Sequence, residues 1–342
     1  MLLIEKVVLR AGKIHSLQRG EDKYQWRLTA GIYMKTKLEN VPGRLALPLL
    51  GPVYARFFSS GVLRELARKG RSAIAARLAG QHCLFDRFGA NTRVGEFYDA
   101  IFKCLIHEYR HEYVYKNAIA EKILLGRHNL NTAFMLTEFR ADDCKADAVV
   151  LNGTSHVYEI KSEMDSFDRL DRQLAAYRKM FDYITVITTE RLFEPVAMRT
   201  PKEIGITVLA GEGDKWYRFR KTPHREAESN RGNVQPPVIL RSLQRPEYLQ
   251  IIKESFGISL AHLPNTQIYS EAKRYFEKLT PDVAHAAMVE ALKRRRDTWR
   301  AADFVTEVPR SLKAATLSIR LTTEDGNRFI DVLRSDIKSA FT

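Results

Sequence analysis

The sequence has no long hydrophobic run and few cysteine residues. No apolar stretch approaches the roughly 20 residues that a transmembrane helix needs, and Glu5 and Lys6 interrupt the apolar N-terminus where a signal peptide would be continuous. The three cysteines, Cys83, Cys104 and Cys144, lie far apart and match no disulfide or zinc-ribbon spacing. We therefore expect a cytoplasmic protein in a reducing compartment, without contact to a membrane.

Acidic residues are also few relative to basic ones. The 342-residue chain has 55 Lys and Arg against 41 Asp and Glu, a formal net charge of +14. Such an excess favours a polyanionic partner, and we predict nucleic acid, in particular DNA. Basic residues recur on two predicted helices, and they can contact phosphate. The alternatives to a phosphate contact are a solvated helix face for the first helix and, for the second, a cationic run that the helix dipole favours at a C-terminus without any ligand. The residues that we predict to contact phosphate are Arg64, Arg68, Lys69 and Arg71 on the first helix, and Lys293, Arg294, Arg295, Arg296 and Arg300 at the end of the second.

The middle of the chain has the pattern of a hairpin followed by a helix and another strand. Asn152 and Gly153 are a strong hairpin signal between two β-rich runs. Apolar residues then recur at the spacing of one helix face, and an apolar strand follows. With the flanking segments, the predicted order is a helix over residues 117–125, strands at 132–140, 146–151 and 156–162, a helix over 170–181, and strands at 183–188, 205–210 and 216–221.

Three charged residues, Asp147, Glu159 and Lys161, interrupt the apolar hairpin. A buried charge costs free energy unless it is paired or binds a metal, so these residues indicate a functional site. Glu159 and Lys161 are two residues apart on one strand and therefore share a face. Asp147 shares that face only if the register places it opposite an odd-numbered residue, whereas a strict two-residue turn would pair it with Tyr158. We therefore predict a three-residue loop or a bulge at residues 152–154.

Two carboxylates that lie close together repel, and a hard divalent cation relieves that repulsion. Mg²⁺ prefers oxygen ligands and keeps several waters, which suits a site that also holds a phosphate. Bound Mg²⁺ or Mn²⁺ would lower the pKa of a water and polarise the phosphate, and a neighbouring lysine would offset the developing negative charge. The pattern therefore predicts metal-dependent phosphodiester hydrolysis. A cross-strand salt bridge with no further role is the alternative.

The hairpin resembles the PD-(D/E)XK nuclease superfamily. In that superfamily a core of helix, three strands, helix and strand has an acidic residue on its second strand and E-x-K on its third, which Asp147 and the run Glu159, Ile160 and Lys161 match. The resemblance implies an α/β fold with a restriction-endonuclease-like αβββαβ core. It also implies metal ligation by Asp147, Glu159 and the Ile160 backbone carbonyl, with Lys161 assisting catalysis.

Three further residues extend the resemblance. Glu121, on the preceding predicted helix, corresponds to an additional acidic residue that many members use in catalysis and metal ligation. Gln173 and Tyr177 match the Q-x-x-x-Y signature of the RecB-type branch and, being four residues apart, share one helix face. Residues 117–210 are more closely similar to a bacterial family of small nuclease-like proteins. The chain departs from that pattern at Lys145, where an arginine is expected, and no proline precedes the acidic residue.

The predicted organisation is a nuclease-like core with accessory regions on both sides. We predict a strand and helix region at residues 1–93, the core at 94–222, a linker at 223–237 and a basic helical domain at 238–342. The predicted enzyme is a metal-dependent nuclease with DNA as its predicted substrate, acting in defence against foreign DNA or in repair. The alternative is a catalytically inactive nuclease-like module that binds nucleic acid or protein. The pattern is compatible with a protein partner or a homo-oligomer.

A second motif predicts a different enzyme. His107, Glu108 and His111 match H-E-x-x-H, in which both imidazoles lie on one face of a continuous helix and bind zinc while the glutamate acts as base in a peptidase. Both histidines, however, lie on the polar side of the predicted helix, and Arg110 would place a cation beside the metal. The zinc peptidase is therefore the less favoured alternative.

Overall fold

The computed structural model of the chain describes residues 24–29, 32–37, 50–128, 132–210, 217–219, 224–295 and 301–342. The chain divides into two compact units, Met1–Leu45 and Ala46–Thr342. In the first unit, β1 (Tyr24–Thr29) and β2 (Ile32–Lys37) form an antiparallel hairpin. The boundaries predicted after residues 93, 222 and 237 all fall inside the second unit and stay predictions.

The second unit begins with a group of short helices. Gly70, with φ of 74°, ends the second of them in the left-handed conformation, and Ser72 then caps the third by accepting a hydrogen bond from Ala75 N. These helices are α1 (Gly51–Phe57), α2 (Ser60–Lys69), α3 (Ala73–Gln81), α4 (Leu84–Phe88), α5 (Val94–Glu108), α6 (Glu112–Ala118), a π-helical segment (Ile119–Leu124) and α7 (Leu125–Arg127).

A six-stranded mixed sheet follows, with the strands in sequence order from β3 at one edge to β8 at the other. The first three strands are antiparallel, the next two pair in parallel with their neighbours, and β8 is again antiparallel. The strands and intervening helices are β3 (Phe134–Ala141), β4 (Cys144–Leu151), β5 (Ser155–Ile160), α8 (Leu170–Arg178), β6 (Tyr183–Thr188), α9 (Phe193–Arg199), β7 (Gly205–Ala210) and β8 (Arg218–Phe219). The predicted α/β class is confirmed.

The rest of the chain is helical in its described part. Thr280 caps α13 by accepting a hydrogen bond from Val283 N, and Pro281 occupies the first turn, where its missing N–H has no intrahelical partner to lose. The helices are α10 (Pro236–Ser242), α11 (Arg245–Phe256), α12 (Asn265–Phe276), α13 (Pro281–Arg294), α14 (Ala301–Glu307), α15 (Lys313–Ser318), α16 (Thr323–Arg334) and α17 (Ile337–Ala340). No described helix has both the length and the apolar character needed to cross a membrane.

Two hydrophobic cores lie on opposite faces of the sheet. Because strand side chains alternate, Ala148 and Val150 of β4 pack into a core with the first six helices and α14–α17. Val149 and Leu151 pack instead with α8 and with α10–α13. The central strands are thus covered on both sides, which leaves polar side chains of the sheet accessible mainly near the strand ends.

Candidate functional site

The β4–β5 hairpin has a three-residue loop. Leu151 pairs with Ser155, and the intervening residues 152–154 are closed by a hydrogen bond of 3.0 Å from Asn152 N to Thr154 O. The pairing runs from Leu151 opposite Ser155 to Ala148 opposite Tyr158. The predicted three-residue loop is therefore confirmed, and Asp147 lies close enough to Glu159 for the charge of Glu159 to raise its pKa.

Glu159 is the centre of a buried hydrogen-bonded group. Its Oε1 lies 3.0 Å from Nζ of Lys161, and its Oε2 accepts a 2.6 Å hydrogen bond from the hydroxyl of Tyr177. Lys161 Nζ also donates to Oε1 of Gln173 at 3.0 Å. Glu159 and Lys161 expose only 1% and 4% of their surface, so both charges depend on these partners. The structure thus brings together four of the residues predicted from the sequence.

Asp147 lies against the end of β5. Its Oδ2 accepts a 2.8 Å hydrogen bond from the backbone N–H of Ile160. Burial raises the pKa of Asp147 well above its usual value, and the negative charges of Glu159 and Glu112 raise it further, against the Ile160 N–H and Lys116. Burial also raises the pKa of Glu159, although Lys161, Tyr177 and Gln173 oppose the rise. Two carboxyl groups in this environment favour either a shared proton or a bound cation.

Two glutamates that were not predicted as site residues complete the cluster. Glu112, Glu138 and Asp147 each offer one oxygen, and the three oxygens lie within 4.8 Å of one another. Glu112 is in the first turn of α6, and the β3–β4 register places Glu138 opposite Asp147. Glu138 has φ of 54°, a conformation that costs free energy for a residue with a side chain. We call Glu112, Glu138, Asp147 and Glu159 the acidic network.

Lys116 neutralises part of the acidic network. Its ammonium contacts Glu138 and lies 2.5 Å from Oε1 of Glu112. Lys145 pairs with the other oxygen of Glu138 at 3.1 Å. Lys116 and Lys145 therefore supply the positive charge beside these carboxylates. The donor set itself, three carboxylates with oxygens within 4.8 Å of one another, has the hard oxygen chemistry that Mg²⁺ and Mn²⁺ prefer.

Glu121, predicted as an additional ligand, has other partners. It lies in the π-helical segment, where Oε1 and Oε2 each accept a 2.7 Å hydrogen bond from Arg310 Nε and Lys122 Nζ lies 2.6 Å from Oε1. Burial alone would raise the pKa of Glu121, but the Arg310 and Lys122 contacts hold it below its usual value. The helical acid that reaches Asp147 is Glu112 instead. Sequence reasoning missed it because Glu112 directly follows the apparent peptidase motif.

The H-E-x-x-H interpretation needs a correction. Helix α5 ends at Glu108, and α6 begins at Glu112, so His107 and His111 do not lie on one continuous helix. His111 is the N-cap of α6, and its Nδ1 accepts a 3.2 Å hydrogen bond from Tyr113 N. The histidines therefore lack the i, i+4 helical geometry that a zinc peptidase requires.

Most of the basic residues predicted to contact phosphate are paired within the protein. Arg294 and Arg295 bind Glu254 and Glu247 at 2.9 Å and 2.5 Å, and Lys293 binds Glu290 at 3.0 Å. On α2, Lys69 lies 3.6 Å from Glu65 and Arg68 lies 3.9 Å from Asp325. Arg64 and Arg71 are exposed, and Arg296 and Arg300 lie outside the described residues.

Comparisons with known proteins give one family. The profile of the family described as bacteriophage P4 protein cII matches residues 106–315, a range that includes the whole acidic network. Over 62 residues the chain is 32% identical to protein cII of Enterobacteria phage P4, and this alignment covers 18% of the chain and 24% of that protein. The match therefore spans about a quarter of that relative's length. No solved structure gives a significant match.

Proposed function

The chain belongs to the bacteriophage P4 protein cII family, and we propose that it is a metal-dependent nuclease that hydrolyses phosphodiester bonds of DNA. The name of the family states no activity, so the proposal depends on the site. It is supported above all by one observation: Asp147, hydrogen-bonded to the backbone N–H of Ile160, lies close enough to Glu159 for the charge of Glu159 to raise its pKa, and Lys161 pairs with Glu159 at 3.0 Å. The order of α6, β3, β4, β5, α8 and β6 is also that of the PD-(D/E)XK core that the sequence resembles.

The ligand set fits a hard divalent cation. Asp147, Glu159 and the Ile160 carbonyl are the ligands implied by the resemblance, and Glu112 and Glu138 add oxygens next to Asp147. When bound, Mg²⁺ or Mn²⁺ would act as a Lewis acid toward the phosphate and lower the pKa of a water. A cation bound there would supply the positive charge that Lys116 now provides to Glu112 and Glu138.

The protein's own residues position the reacting groups. Gln173 Oε1 holds Lys161 by accepting a hydrogen bond from its ammonium, so that the ammonium remains beside Glu159 rather than in solvent. From there Lys161 would offset negative charge that develops on the phosphate. Tyr177 keeps Glu159 in a single orientation through its 2.6 Å hydrogen bond. Each of these residues therefore has a role that depends on the others.

One observation favours a second candidate, a module that binds nucleic acid without cleaving it. Lys116 and Lys145 already pair with the carboxylates of Glu112 and Glu138, so the acidic network has internal counterions without a metal. Such pairing is also what a purely structural cluster would have. The two candidates differ in whether the unaltered protein cleaves DNA.

The test is a cleavage assay with Asp147→Asn and Lys161→Ala. Single-stranded and double-stranded DNA, and RNA, are incubated with the protein in Mg²⁺, in Mn²⁺ and in EDTA. We expect cleavage of DNA that requires metal and falls by about 100-fold or more in either variant. Asp171→Asn, an exposed carboxylate on α8, is the matched control and should retain activity. Binding without cleavage by the unaltered protein would support the second candidate.

A further inference from the structure

Two basic depressions lie beside the acidic network and share Arg140. The first, of about 460 Å³, is bordered by Glu138 on β3 and by residues of α10, α13 and the α15–α16 connection. The second, of about 420 Å³, is bordered by Gln173, which holds Lys161. Both are large enough to hold a nucleotide-sized group. Together they contain seven cations, which we call the arginine groove: Arg140, Lys145, Arg169, Arg172, Arg241, Arg295 and Arg320.

The cations of the arginine groove are only partly neutralised. Arg241 binds Asp142 at 2.9 Å, and Arg295 and Lys145 have the ion pairs described above. Arg140 donates Nε to the backbone carbonyl of Asp142 at 3.3 Å, which leaves its terminal nitrogens available. Three exposed arginines form no ion pair with any described acidic residue: Arg169, Arg172 and Arg320. The groove thus differs from the basic helices predicted from the sequence, where most cations have partners.

The arrangement of these arginines points to a ligand with several phosphates. Guanidinium groups bind phosphate through paired N–H donors, and six of the seven cations in the groove are arginine. Arg140 and Lys145 are also cross-strand neighbours, so that they present two charges at the same point of the sheet edge. Gln173 and Glu138 connect the two halves of the groove to the acidic network, so a strand that follows the groove passes the carboxylates.

We propose that the arginine groove binds the backbone of one nucleic-acid strand and leads it across β3 to the acidic network, with Arg140, Arg169, Arg172 and Arg320 as the main phosphate contacts. The nature of the ligand rests on the proposed function. The binding itself does not, because the groove would hold a strand whether or not it is cleaved. An acidic protein segment is the competing occupant, and the test separates the two.

The experiment measures binding under conditions that prevent hydrolysis. Fluorescence anisotropy of labelled single-stranded and double-stranded DNA and RNA is recorded in EDTA over a range of salt concentrations. The groove variant combines Arg140→Gln, Arg169→Gln, Arg172→Gln and Arg320→Gln. We expect its affinity to fall by about 100-fold or more, and the slope of log affinity against log salt to decrease by about 3, since each lost phosphate contact removes close to one released counterion.

The matched control removes the same number of charges from exposed positions on α11, on α12 and just beyond, none of which lines the groove. It combines Lys253→Gln, Lys273→Gln, Arg274→Gln and Lys278→Gln. We expect less than about a threefold loss of affinity and an unchanged salt slope. A third quadruple variant of Arg64, Arg68, Arg71 and Arg77 tests the rival surface around α2. Thermal unfolding of every variant verifies that it is folded.

Several results would overturn the proposal. The first two are a groove variant that binds nucleic acid as tightly as the unaltered protein and a control variant that loses as much affinity as the groove variant. The other two are a loss of affinity that is confined to the α2 variant and an unaltered protein that binds no nucleic acid. If the quadruple groove variant fails to fold, the single variants Arg140→Gln and Arg172→Gln replace it, each with an expected loss of roughly threefold to tenfold. Binding that depends on the groove without any cleavage would contradict the nuclease but not the groove.

Discussion

Two ammonium groups, one partly and one almost fully buried, show how single residues prepare the site. Lys116 and Lys161 each contact a carboxylate of the acidic network, and Lys161 is almost fully buried. An unpaired charge at such a position would cost several kcal/mol, so each lysine and its carboxylate depend on each other. The two lysines differ in their other partners, because Gln173 holds Lys161 whereas Lys116 contacts only acids. If the proposed cation binds, we therefore expect it to replace the contacts of Lys116 rather than those of Lys161.

The identity of the helical acid can be tested with a matched pair of variants. Glu112→Gln removes an oxygen that lies within 4.8 Å of Asp147 and Glu138, and we expect Mn²⁺ affinity to fall by about 10-fold or more. Glu121→Gln removes the partner of Arg310, and we expect about 1 kcal/mol less stability with unchanged Mn²⁺ affinity. Titration calorimetry and urea unfolding measure the two quantities. If only Glu121→Gln lost metal binding, Glu121 rather than Glu112 would be the helical ligand, as the sequence predicted.

The hydroxyl of Tyr177 is a positioning group for Glu159. Tyr177→Phe keeps the buried ring but deprives the carboxylate of a 2.6 Å hydrogen bond. We expect about 2 kcal/mol less stability and a roughly 10-fold slower cleavage with little change in DNA affinity. Tyr269→Phe, at an exposed position on α12, is the control and should change neither. A Tyr177→Phe protein with full cleavage activity would contradict a positioning role.

At the scale of elements, the hairpin was the most predictable part of the molecule. Its strands follow from short-range alternation, and its three-residue loop follows from the demand that Asp147 and Glu159 share a face. The break between α5 and α6 was not predictable in this way. The apolar pattern continues through it, and Tyr109, the residue after α5, would be 2.4 Å from any Cβ added to Gly51 of α1. The packing of α1 against Tyr109 is a long-range contact, and hydrophobic periodicity does not predict such contacts.

The conformation of the β4–β5 loop leads to a prediction for Gly153. This residue has φ of 71°, and a Cβ added there would meet no atom within 4 Å, so an alanine would be disfavoured by its backbone alone. We expect Gly153→Ala to reduce the free energy of unfolding by about 1 kcal/mol. Gly232→Ala, at an equally open position without positive φ, should have a smaller effect. Chemical denaturation compares them, and equal losses would refute the backbone explanation.

At the scale of the whole molecule, contacts between distant segments determine which residues reach the site. The Tyr113 hydroxyl donates a 2.6 Å hydrogen bond to Ser311 O, 198 residues away, and Asn117 Nδ2 donates to Arg310 O at 2.9 Å. These contacts join α6 to the 3₁₀ turn (Arg310–Leu312) that precedes α15, and so orient the helix from which Glu112 extends. Local sequence patterns predicted the helices and strands, but they contain no information about these contacts between distant segments. For the same reason, Glu112, Glu138 and the arginine groove could not be assigned from the sequence.

A buried histidine joins the helical C-terminal region to the hairpin and should make stability depend on pH. His285 on α13 is hydrogen-bonded to Ser155 Oγ at 2.8 Å. Burial lowers the pKa of His285 to about 4, and Arg231 lowers it further, while Asp182 and Asp282 oppose the shift. In the unfolded chain His285 has an ordinary histidine pKa near 6.5. Between pH 6.5 and 4 the unfolded chain therefore binds a proton at His285 that the folded protein excludes. Stability should be complete above pH 6.5 and fall as the pH decreases toward 4.

The variant His285→Gln isolates this contribution. The loss for the unaltered protein should amount to about 3 kcal/mol in total, at no more than about 1.4 kcal/mol per pH unit. His156, whose pKa burial lowers to about 3, acts in the same direction but is present in both proteins and cancels in the comparison. Urea unfolding at several pH values between 7.5 and 4.5 should therefore give a difference between unaltered protein and variant that shrinks as the pH falls. Parallel stability curves would mean that the His285–Ser155 contact does not exclude the proton, and that the C-terminal helices are held to the hairpin by apolar packing alone.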